Sequence, residues 1–106
     1  MYDEEIKIES RDYWLKVVDF LQQNWALIDA GENGNLIVYF FGDTSGVFDQ
    51  LEFNSVREAE TALRRSGFTL YDKDVKAQEF VAKPNLPFHS ANHPNGLIYS
   101  SGKFWR

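Results

Sequence analysis

The amino-acid sequence predicts an α+β domain: an antiparallel sheet meander, two main helices packed on it and a C-terminal hairpin. Three observations carry that prediction. An apolar stripe of helical spacing runs through residues 11–24, apolar runs broken by Gly- and Asn-containing turns fill residues 25–53, and a helix-capping pattern begins at Ser55. At 106 residues the chain has the length of one domain, residues 1–106, with a single modest core.

The first nine residues are charged and read as a frayed end or a short edge strand, with Ile6 and Ile8 alternating. Ser10 is a suitable N-cap for a helix over roughly Arg11 to Asn24. Trp14, Val17, Val18, Leu21 and Trp25 recur at i, i+3, i+4 and i+7, which puts them on one face of that helix. Trp25 to Ala30 and Leu36 to Phe41 then flank Gly31-Glu32-Asn33-Gly34-Asn35, and Asn-Gly is a strong hairpin signal. Leu36 to Phe41 shows no polar alternation, as a central strand covered on both faces requires. Beyond the turn Gly42-Asp43-Thr44-Ser45-Gly46 the pattern alternates. Val47, Asp49, Leu51 and Phe53 point one way, and Phe48, Gln50 and Glu52 the other.

Ser55-Val56-Arg57-Glu58 has the form of a capping box, in which the Ser55 hydroxyl accepts from a first-turn N–H and Glu58 reaches back. The helix is expected to stop at Gly67, which takes a positive φ without a side-chain clash. Ala59, Ala62 and Leu63 give it a narrow face that can lie close to a sheet. Phe68 to Tyr71 and Gln78 to Ala82 read as short strands on either side of the charged turn Asp72-Lys73-Asp74. Three prolines and several asparagines make residues 84–96 irregular. Leu97 to Tyr99 and Lys103 to Trp105 then read as a terminal hairpin around Ser100-Ser101-Gly102.

Composition excludes several classes. The chain has no cysteine, which removes a disulfide framework, a thiolate zinc site and a cysteine nucleophile together. The start Met1-Tyr2-Asp3-Glu4-Glu5 lacks the basic-then-apolar order of a signal peptide, and Leu36 to Phe41 is far too short to span a bilayer. Cytoplasm is the expected compartment. No cofactor is implied.

Charge is spread unevenly. Residues 1–53 hold eleven Asp/Glu against three Lys/Arg, whereas residues 54–106 hold eight Lys/Arg against five Asp/Glu, for a net charge of −5. An acidic surface attracts a basic partner and repels nucleic acid or an anionic membrane. The basic residues of the second half are dispersed, and Arg64 and Arg65 sit where cations complement a helix C-terminus. In the meander, Asp29, Glu32 and Glu52 fall at one end of the sheet and Asp43 at the other, with the Asp3-Glu4-Glu5-Glu9-Asp12 cluster separate.

Candidates for catalysis are few. His89 and His93 are spaced i, i+4, but Pro87 and Pro94 bracket them and argue against the helix that a zinc site of this spacing needs. Ser45, Ser90, Ser100 and Ser101 lie in no nucleophile-elbow pattern, and Gly42 to Gly46 lacks the Gly-Lys-Ser/Thr ending of a phosphate loop. No enzymatic activity is expected.

The 14–25 helix, the Leu36–Phe41 strand, the capped Ser55–Gly67 helix followed by Phe68, and the ending Ile98-Tyr99-Ser100-Ser101-Gly102-Lys103-Phe104-Trp105 together resemble, in style, the small immunity proteins of bacterial polymorphic-toxin and contact-dependent growth inhibition systems. That resemblance implies a cytoplasmic, non-enzymatic domain that blocks a cognate toxin, often a basic nuclease. Asp29, Glu32, Glu52 and Asp43 are the expected electrostatic contacts, with Trp105 or Tyr99 as candidate aromatic anchors. The alternative is a small accessory or adaptor subunit that docks through a sheet edge or the C-terminal hairpin.

Overall fold

The first half of the chain is rich in the β-branched and aromatic side chains that favour strands. The computed structural model, which describes residues 5–19, 22–31 and 34–90, folds that half into five strands. These are β1 (Glu5–Ile6), β2 (Trp14–Asp19), β3 (Gln22–Ala30), β4 (Leu36–Phe41) and β5 (Gly46–Phe53). Helix α1 (Val56–Arg65), β6 (Thr69–Leu70), a 3-10 turn (Tyr71–Lys73), α2 (Val75–Phe80) and β7 (Phe88–Ser90) follow. The fold is α+β, on one seven-stranded sheet of order β1-β7-β5-β4-β3-β2-β6. The strands β2 to β5 pair antiparallel in sequence order. The sheet as a whole is mixed, because β7 lies parallel to β5, with Gly46 opposite His89.

The expected helix over Arg11–Asn24 does not form. Trp14–Asp19 instead make β2, and Gln22 to Asn24 the start of β3. Trp14 and Leu15 are adjacent, yet each is buried, in a different core. A strand covered on both faces is apolar at consecutive positions, which hides the period of two and lets a helical spacing arise by coincidence.

On one face Leu15, Trp25, Leu27, Phe41 and Val47 form a core closed by Ile8, Tyr13 and Phe88. On the other, Trp14, Ala26, Val38 and Phe40 pack beneath Ala59, Leu63 and Phe68. The small-residue face expected of α1 is thus the one it buries. A bulge in β5 changes part of the expected alternation. The register slips between Phe40 opposite Asp49 and Phe41 opposite Val47, so Val47 joins the first core and Phe48 packs against the second.

Helix α1 begins and ends as its sequence demands. Ser55 Oγ accepts from Glu58 N–H at 3.2 Å, and Glu58 Oε2 accepts from Asn54 N–H at 3.2 Å, one residue further back than a reciprocal box would place it. At the other end Phe68 N–H bonds to Leu63 C=O and Gly67 N–H to Arg64 C=O, with Gly67 at φ 91°. That is a Schellman close, and it requires the left-handed residue.

The strand expected at Gln78–Ala82 is instead α2, capped by Asp74, whose Oδ1 accepts from Ala77 N–H at 3.1 Å. An Asp ahead of Val75-Lys76-Ala77-Gln78 was the available signal. The strand expected over Phe68–Tyr71 is formed only by Thr69–Leu70, and β7 interrupts the segment expected to be irregular. The expected terminal hairpin, with Tyr99 and Trp105, lies outside the described residues. Among the described residues no helix is long and apolar enough to cross a membrane.

Candidate protein-binding surfaces

Strand register decides which of the expected carboxylates share a surface. Asp29 in β3 lies opposite Ile37 in β4, and Ile37 lies opposite Glu52 in β5. Residues directly opposite across antiparallel strands share a face. Asp29 and Glu52 therefore flank Ile37 in one row, about two strand spacings, roughly 10 Å, apart at the backbone. Glu32 lies outside the described residues.

Both carboxylates have local partners. Asp29 Oδ2 accepts from Glu9 N–H at 2.9 Å and its Oδ1 from Ala30 N–H at 3.0 Å, while Glu52 Oε2 accepts from Asn35 Nδ2 at 2.8 Å. These neutral donors orient the carboxylates and leave their charge in place. The bond to Glu9 also brings a residue of the N-terminal acidic cluster, expected to lie apart, alongside Asp29. One row further along β4, burial and then the charge of Asp29 push the Tyr39 hydroxyl above the ordinary tyrosine pKa. The ion pairs among the described residues, Arg64–Glu60 at 3.8 Å and Lys83–Asp72 at 3.5 Å, lie elsewhere.

Asp43 has a different place. It sits at the opposite end of the sheet, in the β4–β5 turn, as expected from the sequence. Its Oδ1 accepts from Trp25 Nε1 at 2.8 Å and its Oδ2 from Gln23 N–H at 3.1 Å. Trp25 is fully buried, so Asp43 satisfies a core indole. Ser45, one of the serines weighed as a nucleophile, is also buried, and its hydroxyl donates to Asn85 C=O. His89 is in β7 between Glu5 and Gly46, and His93 lies outside the described residues. Among the described residues no group of three or more His, Cys, Asp or Glu is placed to hold a metal ion.

Two cations of the second half, Lys83 and Arg64, pack on aromatic rings. Lys83 Nζ lies 5.3 Å from the Tyr13 ring centroid and 5.5 Å from that of Tyr71, and the Arg64 guanidinium lies 5.2 Å from the Trp14 ring. Such contacts stabilise the fold from the surface.

Sequence reasoning missed a second surface, at the β2 edge. A groove of about 740 Å³ runs between the ends of β2 and β3 and the α2 segment, with Leu15, Val17, Ala77, Phe80 and Val81 among its lining residues. Val17 is 64% exposed and Phe80 82% exposed, which is unusual for large apolar side chains at one groove. The edge beside it is open. Strand β6 pairs only with Trp14 and Leu15, because the chain turns away at Gly67 into the end of α1. Among the described residues, Lys16, Val17 and Asp19 have a strand partner on the β3 side alone. The signal for this groove was the Asp74 cap, since α2 forms its outer wall.

No protein-family model, curated protein or solved structure matches the chain.

Proposed function

We propose that this chain is a non-enzymatic protein-binding domain, a small accessory or adaptor subunit whose docking surface is the open edge of β2 with the adjoining groove. The observation that supports this reading most strongly is the coincidence of an unpaired strand edge at Val17 with two exposed apolar side chains, Val17 and Phe80. An open edge offers backbone hydrogen bonds to a partner strand, and an apolar groove beside it supplies the area to be buried.

A second reading is supported by a separate observation. Asp29 and Glu52 share one sheet face with their charges unpaired by any described Lys or Arg. This favours a cytoplasmic immunity protein that covers a basic toxin domain, with Asp29, Glu52 and Glu32 as contacts and fast, salt-sensitive association.

Capture of partners from native lysate separates the two. Val17→Pro removes one edge donor, and Asp29→Asn with Glu52→Gln removes both of these negative charges. Loss of a partner with the first variant supports the adaptor, and loss with the second supports the immunity protein. Retention of every captured partner by both variants overturns both readings. The reading frame next to this gene gives an independent check, because a large toxin with a basic C-terminal domain there favours the immunity role.

A further inference from the structure

The β2 edge carries more information than its exposure. Tyr71 N–H donates to Tyr13 C=O at 2.8 Å, so in this antiparallel pair the odd-numbered residues of β2 direct their backbone groups toward β6. By that alternation Leu15 serves Thr69, and Val17 directs its N–H and C=O outward, where no described strand meets them. A segment that binds here in extended form places successive side chains on opposite faces. On one face they meet the groove of Leu15, Val17, Phe80 and Val81. Strand alternation sets the Lys16 side chain on the other, against Gly67, where a Cβ would lie 3.4 Å from Lys16 Cε, and these two residues also line the groove where it reaches the strand edge. The last turn of α1 that ends at this glycine carries Arg64 and Arg65. Arg64 is paired with Glu60, whereas Lys16 has no carboxylate within ion-pair distance among the described residues.

We propose that the β2 edge binds an extended segment of a partner protein in which apolar and acidic residues alternate. The apolar side chains enter the groove, and a carboxylate meets Lys16 on the opposite face. This rests on reading the edge as a docking surface and adds the chemistry of its occupant. Burial already lowers the Lys16 pKa, so a carboxylate beside the ammonium offsets a cost the fold carries alone. Asp43 and Asp74, the carboxylates on the groove side, are held by Trp25 and Gln23 and by Ala77 and Thr69 respectively. The groove's own carboxylates are thus engaged within the fold, and the acidic preference belongs to Lys16, which lines the groove at the strand edge.

The test is selection from a random nonapeptide display library on the intact chain, followed by titration of the enriched peptides against three variants. Enriched peptides are expected to alternate apolar with Asp or Glu. They should lose tenfold or more in affinity for Val17→Pro, whose missing N–H points to solvent and so spares the pairing with β3. Lys16→Glu should cost a similar factor, and replacing the peptide's central acid with Lys should restore binding to that variant. Serine at Phe80 should weaken apolar selection without altering the acidic preference. Peptides sensitive to Val17→Pro but without acidic enrichment overturn the occupant and leave the edge as a docking site. No enrichment, or enrichment indifferent to Val17→Pro, overturns the edge reading as well. Displacement of the peptides by a single-stranded oligonucleotide overturns the assignment to a protein partner.

Discussion

Asp43 in the β4–β5 turn accepts the indole N–H of the fully buried Trp25 at 2.8 Å. A turn carboxylate thereby closes the polar account of a core side chain three strands deep in the chain's order, and the same carboxylate holds Gln23 N–H at 3.1 Å. Replacing it with Ala orphans the buried indole donor, and the loss expected is about 1–3 kcal/mol. Asp43→Asn keeps one acceptor oxygen and should lose less. Urea unfolding of both variants measures the difference, and wild-type stability in Asp43→Ala would contradict the role.

Acid should loosen α2 before the sheet. The Ala77 N–H, and then the Thr69 hydroxyl, hold the Asp74 carboxyl below its ordinary range. A depressed folded pKa means the cap contributes fully above the unfolded value of about 3.9 and is lost as pH falls through the folded value. The protection factor of the Ala77 amide, its exchange relative to the unprotected rate at the same pH, should therefore fall in that low range. Asp74→Asn caps without titrating, so its protection factor should stay flat across the same pH interval.

Alkali should report on the carboxylate row. The Tyr39 hydroxyl ionises above the ordinary tyrosine pKa, first through burial and second through Asp29. Because folding favours the neutral phenol, stability should fall as pH rises past about 10. Asp29→Asn should lower the Tyr39 midpoint part of the way, since burial remains. The 295 nm titration difference between each protein and its Tyr39→Phe counterpart gives that midpoint, and an unmoved value would show that the Asp29 charge does not reach the ring.

Removing the anchor of α1 should cost more than removing its cap. Leu63 is 1% exposed and packs with Phe40 and Phe68 beneath the helix, so Leu63→Ala should lose about 2–5 kcal/mol. Ser55→Ala removes one first-turn acceptor and should lose about 1 kcal/mol. Thermal and urea unfolding of the two variants checks the order.

The sequence by itself determined the features that depend on neighbours along the chain. Ser55 and Gly67 bound a helix because capping and left-handed backbone are local requirements, and Leu36 to Phe41 is a strand because six unbroken apolar residues between turns leave little else. It also placed Asp29 and Glu52 at one end of the sheet and Asp43 at the other, which hairpin connectivity alone requires. Tertiary structure decided the rest. Trp14 and Leu15 begin a strand because each is buried in a core on its own side of the sheet, and a residue cannot report from its own position that two layers will cover it. The bulge that sends Val47 to the core opposite that of Leu51 and Phe53 arises from pairing with β4. Asp43 became a core acceptor only when folding brought Trp25 to it. The groove at Val17 exists because β6 reaches along β2 only as far as Leu15 and α2 lies beside the rest, a meeting of segments distant in sequence that no local pattern encodes.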